Sequence, residues 1–559
     1  MSIGASNFFN LKLIRRQVFS RNLSKVFIKN ILLCLAFCRR KWRNLIKNSL
    51  SSKKKHYFYT FLIGLFNFFA SPPFSIILVL PLTFGSLMFI LNKQKNSGIK
   101  KQLLTIFFFL FGYFVSIFWW FVIPLTTDFG SLFWLTPFAI LGLPFLMSLF
   151  FVPFFCIGFL WLKGRKGGDG FNYDLSLFVV FLICWFCGEY VRGHLIFGGF
   201  PWMLFGHFVK YSFAFQIVRL IGIDLYSILF LALVLSVYFF FFGEKNEKNQ
   251  LLCLLIAGFW LVNCLIGGAV LLFSKSENFS QTIIGSQPNI PAKMDASSDA
   301  VEILNKNIEL ISWTARSNRD MIKILPENAI SFYMESGSNA SKALGRVVGN
   351  DKSLLLAGGI YSEGLAIYNV IYSVNNDGHI VSLYKKQKLV PFGEYIPVRQ
   401  FMPFLTRTLT NGMVDFSIDG ENDYFIFYRD LPIIYPIICY ESIFPDYVKT
   451  NISKNRRLLK ERFATISKEE NDKGFGEKTK SLKERGELIV NVVNDAWMKW
   501  SVAGYQHFLM TRYLAVATGL PVIRVSNNGI SAFIDSCGRA VRQTKLNTED
   551  VLFIAPKRV

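Results

Sequence analysis

The chain predicts a membrane protein in two parts, an α-helical transmembrane bundle followed by a layered α/β domain, and three observations carry that reading. Its 559 residues are 52% hydrophobic with 60 Phe, and the mean hydropathy is +0.37, more than the core of a soluble domain of this length requires. Most of the apolar excess lies before residue 275. From about 280 the hydropathy falls, and short strand-like runs bounded by turn signals alternate with helical patterns.

The first element, 1–56, is a basic arm carrying Arg39, Arg40, Lys41, Arg43, Lys53, Lys54 and Lys55. Its apolar patch at 26–38 is followed directly by cations and not by a small-residue cleavage site, so it predicts an interfacial arm and not a signal peptide. Apolar stretches of about 20 residues, enough to cross a hydrocarbon core, follow at 57–72, 74–92, 102–123, 132–162, 174–192, 216–242 and 250–273. That makes about seven spans in a bundle over 57–274. The stretch 132–162 holds Pro137, Pro144 and Pro153 and is expected to be kinked, tilted or partly re-entrant.

Charge sets the expected orientation. Lys93, Lys95, Lys100 and Lys101 share one loop, Lys163, Arg165 and Lys166 a second, and Lys245 and Lys248 a third; the intervening loops 70–74 and 124–130 carry no Lys or Arg. Short cytoplasmic loops collect Lys and Arg, so the arm is expected in the cytoplasm and an odd number of spans carries residue 275 onward to the opposite face. The net charge of +24 therefore sits where anionic lipid headgroups, and not nucleic acid, are the near counterion. Between the fifth and sixth stretches, 198–206 reads Gly-Gly-Phe-Pro-Trp-Met-Leu-Phe-Gly after Glu189 and Arg192. Either a re-entrant, lipid-facing lip or a broken helix end packed on its neighbours fits that composition.

In the second half, 275–559, strand-like runs occur at 281–286, 322–325, 353–357, 366–374, 431–438, 488–493 and 522–525, with helical patterns at 298–318 and 505–518. Cys439 closes the apolar run 431–438 and precedes Tyr440 and Glu441. Upstream stand Glu327, closing Ile-Leu-Pro-Glu, and Lys386, within Tyr-Lys-Lys-Gln-Lys-Leu-Val-Pro-Phe-Gly-Glu at 384–394. A thiol needs a base to become a thiolate, and a tetrahedral adduct needs a cation or donors at its oxyanion, so Glu, Lys and Cys together suit acyl transfer. Each also has a plainer reading: a disulfide between Cys439 and Cys537, a solvated lysine run around Lys386, a helix-start carboxylate after Pro326. Cys184 and Cys187 lie inside an apolar stretch and read as packing residues. His379 and His507 show no metal-ligand spacing, and neither metal nor cofactor is expected.

These residues resemble the nitrilase, or carbon-nitrogen hydrolase, superfamily, and with the preceding spans they are similar to the apolipoprotein N-acyltransferases of the bacterial inner membrane. The likeness extends to Gln287 with Asn289, Tyr368 with Asn369, Asn494-Asp495-Ala496-Trp497, Gln506-His507 and Ser526-Asn527-Asn528-Gly529. It implies a nitrilase-like α-β-β-α sandwich on the periplasmic side. It further implies Glu327 as general base, Lys386 as oxyanion-side cation and Cys439 as nucleophile, with Glu394, Tyr440 and Glu441 in support. The implied donor is a phospholipid, chiefly phosphatidylethanolamine. The acceptor is the α-amine of an S-diacylglyceryl cysteine at a lipoprotein N-terminus, and the reaction is ping-pong through a thioester. Two other readings stay open: a membrane-tethered amidase or nitrilase, and a truncated, inactive membrane homologue acting in transport or as a scaffold.

Three features depart from the resemblance. The run 449–487 is dense in Lys, Arg and Glu and is expected to be a helical or disordered surface excursion. The chain stops at Val559, where the family commonly continues into another span, so a domain tethered at one end is expected. Met294-Asp295 stands where the family commonly has Trp before Asp.

Overall fold

The structure, a computed structural model, describes residues 53–127, 130–165, 172–242, 247–274, 279–291, 299–317, 319–397, 415–419, 425–473, 486–499 and 501–555. Most of the basic arm, the pair Met294-Asp295 and the late part of the charged run, 474–485, lie outside the described residues. Five helices are long and apolar enough to cross a bilayer: Ile99–Thr126, Phe133–Gly164, Tyr173–Gly198, Val218–Phe240 and Glu247–Phe273. The first two expected spans are instead the shorter helices Lys53–Leu65 and Val79–Lys93. Between them the chain winds into a 3-10 turn, Phe66–Ala70, and reaches Pro72 and Pro73, which cannot supply helical amide donors. Against the expected count of about seven, the described residues hold five helices long and apolar enough to span and two shorter ones. Lys53–Leu65 packs tightly on Ile99–Phe118 because Gly64 and Gly112 lie against the facing backbones at Phe109 and Phe61; small residues permit such approach where lipid offers no hydrophobic drive.

The proline-rich stretch is composite, as its prolines suggest. A 3-10 turn Gly130–Leu135 and a π turn Phe138–Gly142, led in by Pro137, precede the helix Leu143–Gly164. Outward-facing side chains such as Leu220, Leu272 and Phe273 are apolar and exposed, the pattern of a surface that lipid covers.

The second half is a two-sheet sandwich. One sheet has the order β11-β1-β2-β3-β4-β5, from Asp550–Ile554, Thr282–Gln287, Met321–Tyr333, Leu354–Glu363, Ala366–Val374 and Ile380–Lys385. The other has the order β10-β9-β8-β7-β6, from Ala540–Gln543, Ala532–Ile534, Val522–Ser526, Glu487–Val493 and Ile433–Ile438. Side-chain alternation builds the layers. On β6, Ile434 and Ile438 point into the inter-sheet core with Ile322, Ile324 and Val490, whereas Ile433, Tyr435 and Ile437 pack outward on helices Pro445–Lys473 and Ala503–Thr518. The opposite outer face is covered by Ala300–Ser312 and Asn339–Val348. The result is an α-β-β-α sandwich.

The charged run departs from expectation at its start. Pro445–Lys473 is one helix, and Val448, Ile452 and Leu459 are buried against the second sheet. Their spacing of four and seven makes an apolar stripe that the surrounding charge conceals in composition.

A single hydrophobic core joins the two halves, running from the bundle into Tyr440, Ile443, Met498, Leu509, Met510 and Tyr513. Gln506 fastens the junction: its Oε1 accepts from Trp202 Nε1 at 2.7 Å and Trp120 Nε1 at 3.2 Å, and its Nε2 donates to Ser71 Oγ at 2.9 Å.

Candidate active site

Cys439 lies where strand β6 ends and the 3-10 turn Cys439–Ile443 begins, with φ +46. A non-glycine residue in this left-handed region is held there by its surroundings. Glu441 does much of the holding. Its carboxylate accepts from Ile438 N at 2.7 Å and, across the gap, from Tyr384 Oη at 2.8 Å, Gln387 N at 2.8 Å and Lys388 N at 3.2 Å. The same side chain therefore sets the cysteine turn and the segment that carries Lys386. Burial raises the Glu441 carboxyl above its ordinary range, against the pull of those amide donors.

Glu327 projects from β2, and Lys386 directly follows β5. Both are buried, at 6% and 1% exposure, and so is Cys439 at 4%. Lys386 Nζ donates to Glu394 Oε1 at 2.7 Å and to Glu327 Oε1 at 3.3 Å. Asn369 Nδ2 donates to the same two oxygens at 3.0 and 2.9 Å. The remaining oxygen of Glu327 accepts from Asn494 N at 2.9 Å, and that of Glu394 from Val390 N at 2.8 Å. Each carboxylate is thus fixed at both oxygens.

The charges oppose one another. Burial works against the Lys386 ammonium, but Glu394, Glu327 and Cys439 outweigh it and hold the group protonated, above the usual lysine range. Burial pushes the Cys439 thiol well above its ordinary value; Glu327 adds to that push and Lys386 resists it. Burial thus favours the protonated thiol, and nucleophilic attack by this sulfur needs an acceptor for its proton. Cys439 and Cys537 are both free thiols, Lys386 is no solvated lysine, and Glu327 stands on a strand and not at a helix start.

The bundle covers the site. The segment 198–206 packs inward: Trp202, Met203, Leu204 and Phe205 are buried, which decides between its two readings in favour of the packed one. Arg192 Nη1 donates to the carbonyls of Phe200 at 2.9 Å and Trp202 at 2.8 Å, while Glu189 Oε1 accepts from Phe205 N at 2.9 Å. Glu189 and Arg192 also pair, at 3.7 Å. So held, Phe200 stacks on Tyr440 at 6.5 Å, and Tyr440 Oη donates to Gly199 O at 3.2 Å.

Behind the cysteine lies a cluster that spacing did not reveal. Ligating atoms of Cys439, Asp495 and His507 fall within 4.8 Å of one another, close enough for a metal, although chain spacing suggested no such set. The donor chemistry fits a metal poorly, because Arg524 Nη2 already sits 2.7 Å from Asp495 Oδ2 and His507 Nδ1 lies 3.0 Å from Asp495 Oδ1. The sequence carried signals for it in Asp495 and His507, both within the family likeness, and in Arg524, a charge in the middle of the apolar strand Val522–Ser526.

Comparison with known proteins accords with this architecture. The family model for the apolipoprotein N-acyltransferase N-terminal domain matches residues 63–236, and that for carbon-nitrogen hydrolase matches 286–466 and 471–557. Most of the charged run therefore falls within the matched domain. The apolipoprotein N-acyltransferase of Rickettsia bellii is 30% identical over 81% of this chain and 82% of its own length. Those of Rickettsia prowazekii and Rhodopseudomonas palustris are each 28% identical, over 83% and 88% of this chain and 85% and 87% of theirs.

Proposed function

The chain belongs to the apolipoprotein N-acyltransferase family, and from that premise we propose that it moves an acyl chain from a phospholipid, through a thioester on Cys439, to the α-amine of a diacylated lipoprotein cysteine. One observation carries the reading: a buried thiol on a left-handed turn has Glu327 and Lys386 beside it and an aromatic segment of the membrane bundle packed against Tyr440, its neighbour.

In the first half-reaction the Glu327 carboxylate takes the thiol proton, and the sulfur attacks the donor's ester carbonyl. Lys386 faces the oxyanion that forms. The adduct collapses with cleavage of the carbon–oxygen bond, and the departing lysophospholipid oxygen takes the proton from Glu327. In the second half-reaction the lipoprotein amine attacks the thioester and gives its proton to Glu327; the carbon–sulfur bond breaks and the proton returns to sulfur. Glu394 and Asn369 keep Lys386 and Glu327 in register.

Transfer in place of hydrolysis requires that water be kept from the thioester, and the packed segment 198–206 supports that. Both substrates are lipid-anchored, so chemistry at the bilayer avoids exposing chains at about 0.8 kcal/mol per methylene. The enzyme is a multi-pass protein of the bacterial inner (cytoplasmic) membrane, with its catalytic domain on the periplasmic side. Cations in alternate loops support that orientation.

The purified protein, incubated with phosphatidylethanolamine radiolabelled in its acyl chains, should carry a hydroxylamine-sensitive label on Cys439 that passes to a diacylated lipopeptide, and Cys439→Ala should carry none. A label that leaves only to water would reject the acyltransferase reading. No label at all would reject the nucleophile.

A further inference from the structure

The carbonyl of Cys439 is held as well as its neighbours are. Ser442 Oγ donates to it at 2.9 Å, and His507 Nε2 lies 3.2 Å from that carbonyl and 3.0 Å from Ser442 Oγ. The other edge of the imidazole faces Asp495 Oδ1 at 3.0 Å, and Asp495 is itself anchored by Arg524 at 2.7 Å. Gly529 leaves room for this carboxylate, since a Cβ there would run into it.

His507 is 1% exposed and rides on the helix Ala503–Thr518, next to Gln506. Trp202 of the bundle packs on its ring at 5.5 Å. One face of the imidazole thus touches the membrane half, one edge a buried ion pair, and the other edge the backbone of the proposed nucleophile. Left-handed backbone at a non-glycine residue costs of order 1–3 kcal/mol and persists only where neighbours impose it. Glu441 fixes the turn from Ile438 and the Lys386 segment; the Cys439 carbonyl is a second point at which neighbours act on it, and its contacts come from Ser442 and His507.

We propose that His507 is a positioning residue for acyl transfer: through the Cys439 carbonyl and Ser442 it keeps the cysteine in its left-handed turn, and so fixes where the sulfur stands in the field of Glu327 and Lys386. The inference rests on the reading of Cys439 as nucleophile. It gives His507 no contact with substrate, so its loss slows formation of the acyl-enzyme without weakening capture of the donor. A displacement of the reacting atom by about 1 Å can cost on the order of 100-fold in rate.

Two amide substitutions separate this role from simple support of the fold. Glutamine places its terminal amide near the position of Nε2, within reach of the Cys439 carbonyl and Ser442; asparagine places its amide near Nδ1, within reach of Asp495 only. Acyl-enzyme formation is followed on the full-length protein in detergent-lipid micelles with labelled phosphatidylethanolamine. His507→Gln should stay within about tenfold of the parent kcat, and His507→Asn should fall about 100-fold, with the donor KM within about threefold in both. The opposite order, or equal rates in both, would overturn the proposal. If neither variant assembles, Ser442→Ala decides: slower acylation at unchanged donor KM upholds the role, and an unchanged rate overturns it. An unlabelled Cys439 in the parent protein would instead reject the nucleophile reading itself, so the two failures are told apart.

Discussion

Two buried lysines in the catalytic domain make the same residue do opposite things. Lys386 meets two carboxylates, and they hold its ammonium above the ordinary range despite complete burial. Lys323, on β2 four residues before Glu327, meets only backbone: its Nζ donates to the carbonyls of Val347 at 2.6 Å, Thr314 at 3.2 Å and Val348 at 3.2 Å. Burial lowers its pKa to about 8. The first lysine is a charge balanced by charges; the second ties off carbonyls just past Ala300–Ser312 and in the last turn of Asn339–Val348. Lys386 lies past the end of β5, and Glu327, its partner on β2, stands where the β2 register breaks between Leu325 and Ile330. Lys323 points to the helix-covered face of its sheet, between Ile322 and Ile324, which point to the inter-sheet core.

If that contrast is right, the largest effect belongs to Lys386. Lys386→Met leaves Glu327 and Glu394 close together without their cation and should lower the rate of acyl-enzyme formation by about 10³-fold, the loss typical of an oxyanion-stabilising group. Lys386→Arg should restore little, because a planar guanidinium does not replace a compact ammonium between two carboxylates. Release of lysophospholipid in a single turnover measures both, and a rate near the parent's in Lys386→Met would remove the lysine from the chemistry.

Lys323→Met should do the reverse. It strands carbonyls that Lys323 served and should cost about 1–3 kcal/mol of stability, seen as a lower midpoint of thermal unfolding. The kcat of the folded fraction should match the parent's. A selective loss of kcat would break the comparison.

The smallest effect is in pH. The folded pKa of Lys323, about 8, lies below its unfolded value near 10.5, so between those limits the unfolded chain holds the extra proton and stability rises with pH. The contribution is fully present above 10.5 and is lost as pH falls through about 8. The thermal midpoint of the parent should therefore gain on Lys323→Met as pH is raised across that window. Parallel curves would show that Lys323 does not titrate there.

Much of the candidate site was legible before the fold. Residue types and their order placed Glu327, Lys386 and Cys439 in sequence, and hydropathy separated a bundle from an α/β domain. The short strands at the end of the chain, Ala532–Ile534, Ala540–Gln543 and Asp550–Ile554, were not, because three to five residues carry too little periodicity to register. The break between the first two bundle helices at Phe66–Ala70 and Pro72-Pro73 was not legible, because hydropathy measures composition and not where a chain turns. The buried stripe of Pro445–Lys473 was hidden by its charged neighbours.

The covalent order of this chain thus determined its apolar and polar halves, its candidate nucleophile and the carboxylate and ammonium that suit it, since those are properties of side chains and their local spacing. Packing alone decided that Asn494, 167 residues from Glu327, supplies an amide to it, that Trp202 of the bundle rests on His507, and that Asp495, Arg524 and His507 stand behind Cys439. Such contacts are made by two sheets and a helical bundle closing on one another, and distance in space across that closure leaves no periodic trace along the chain.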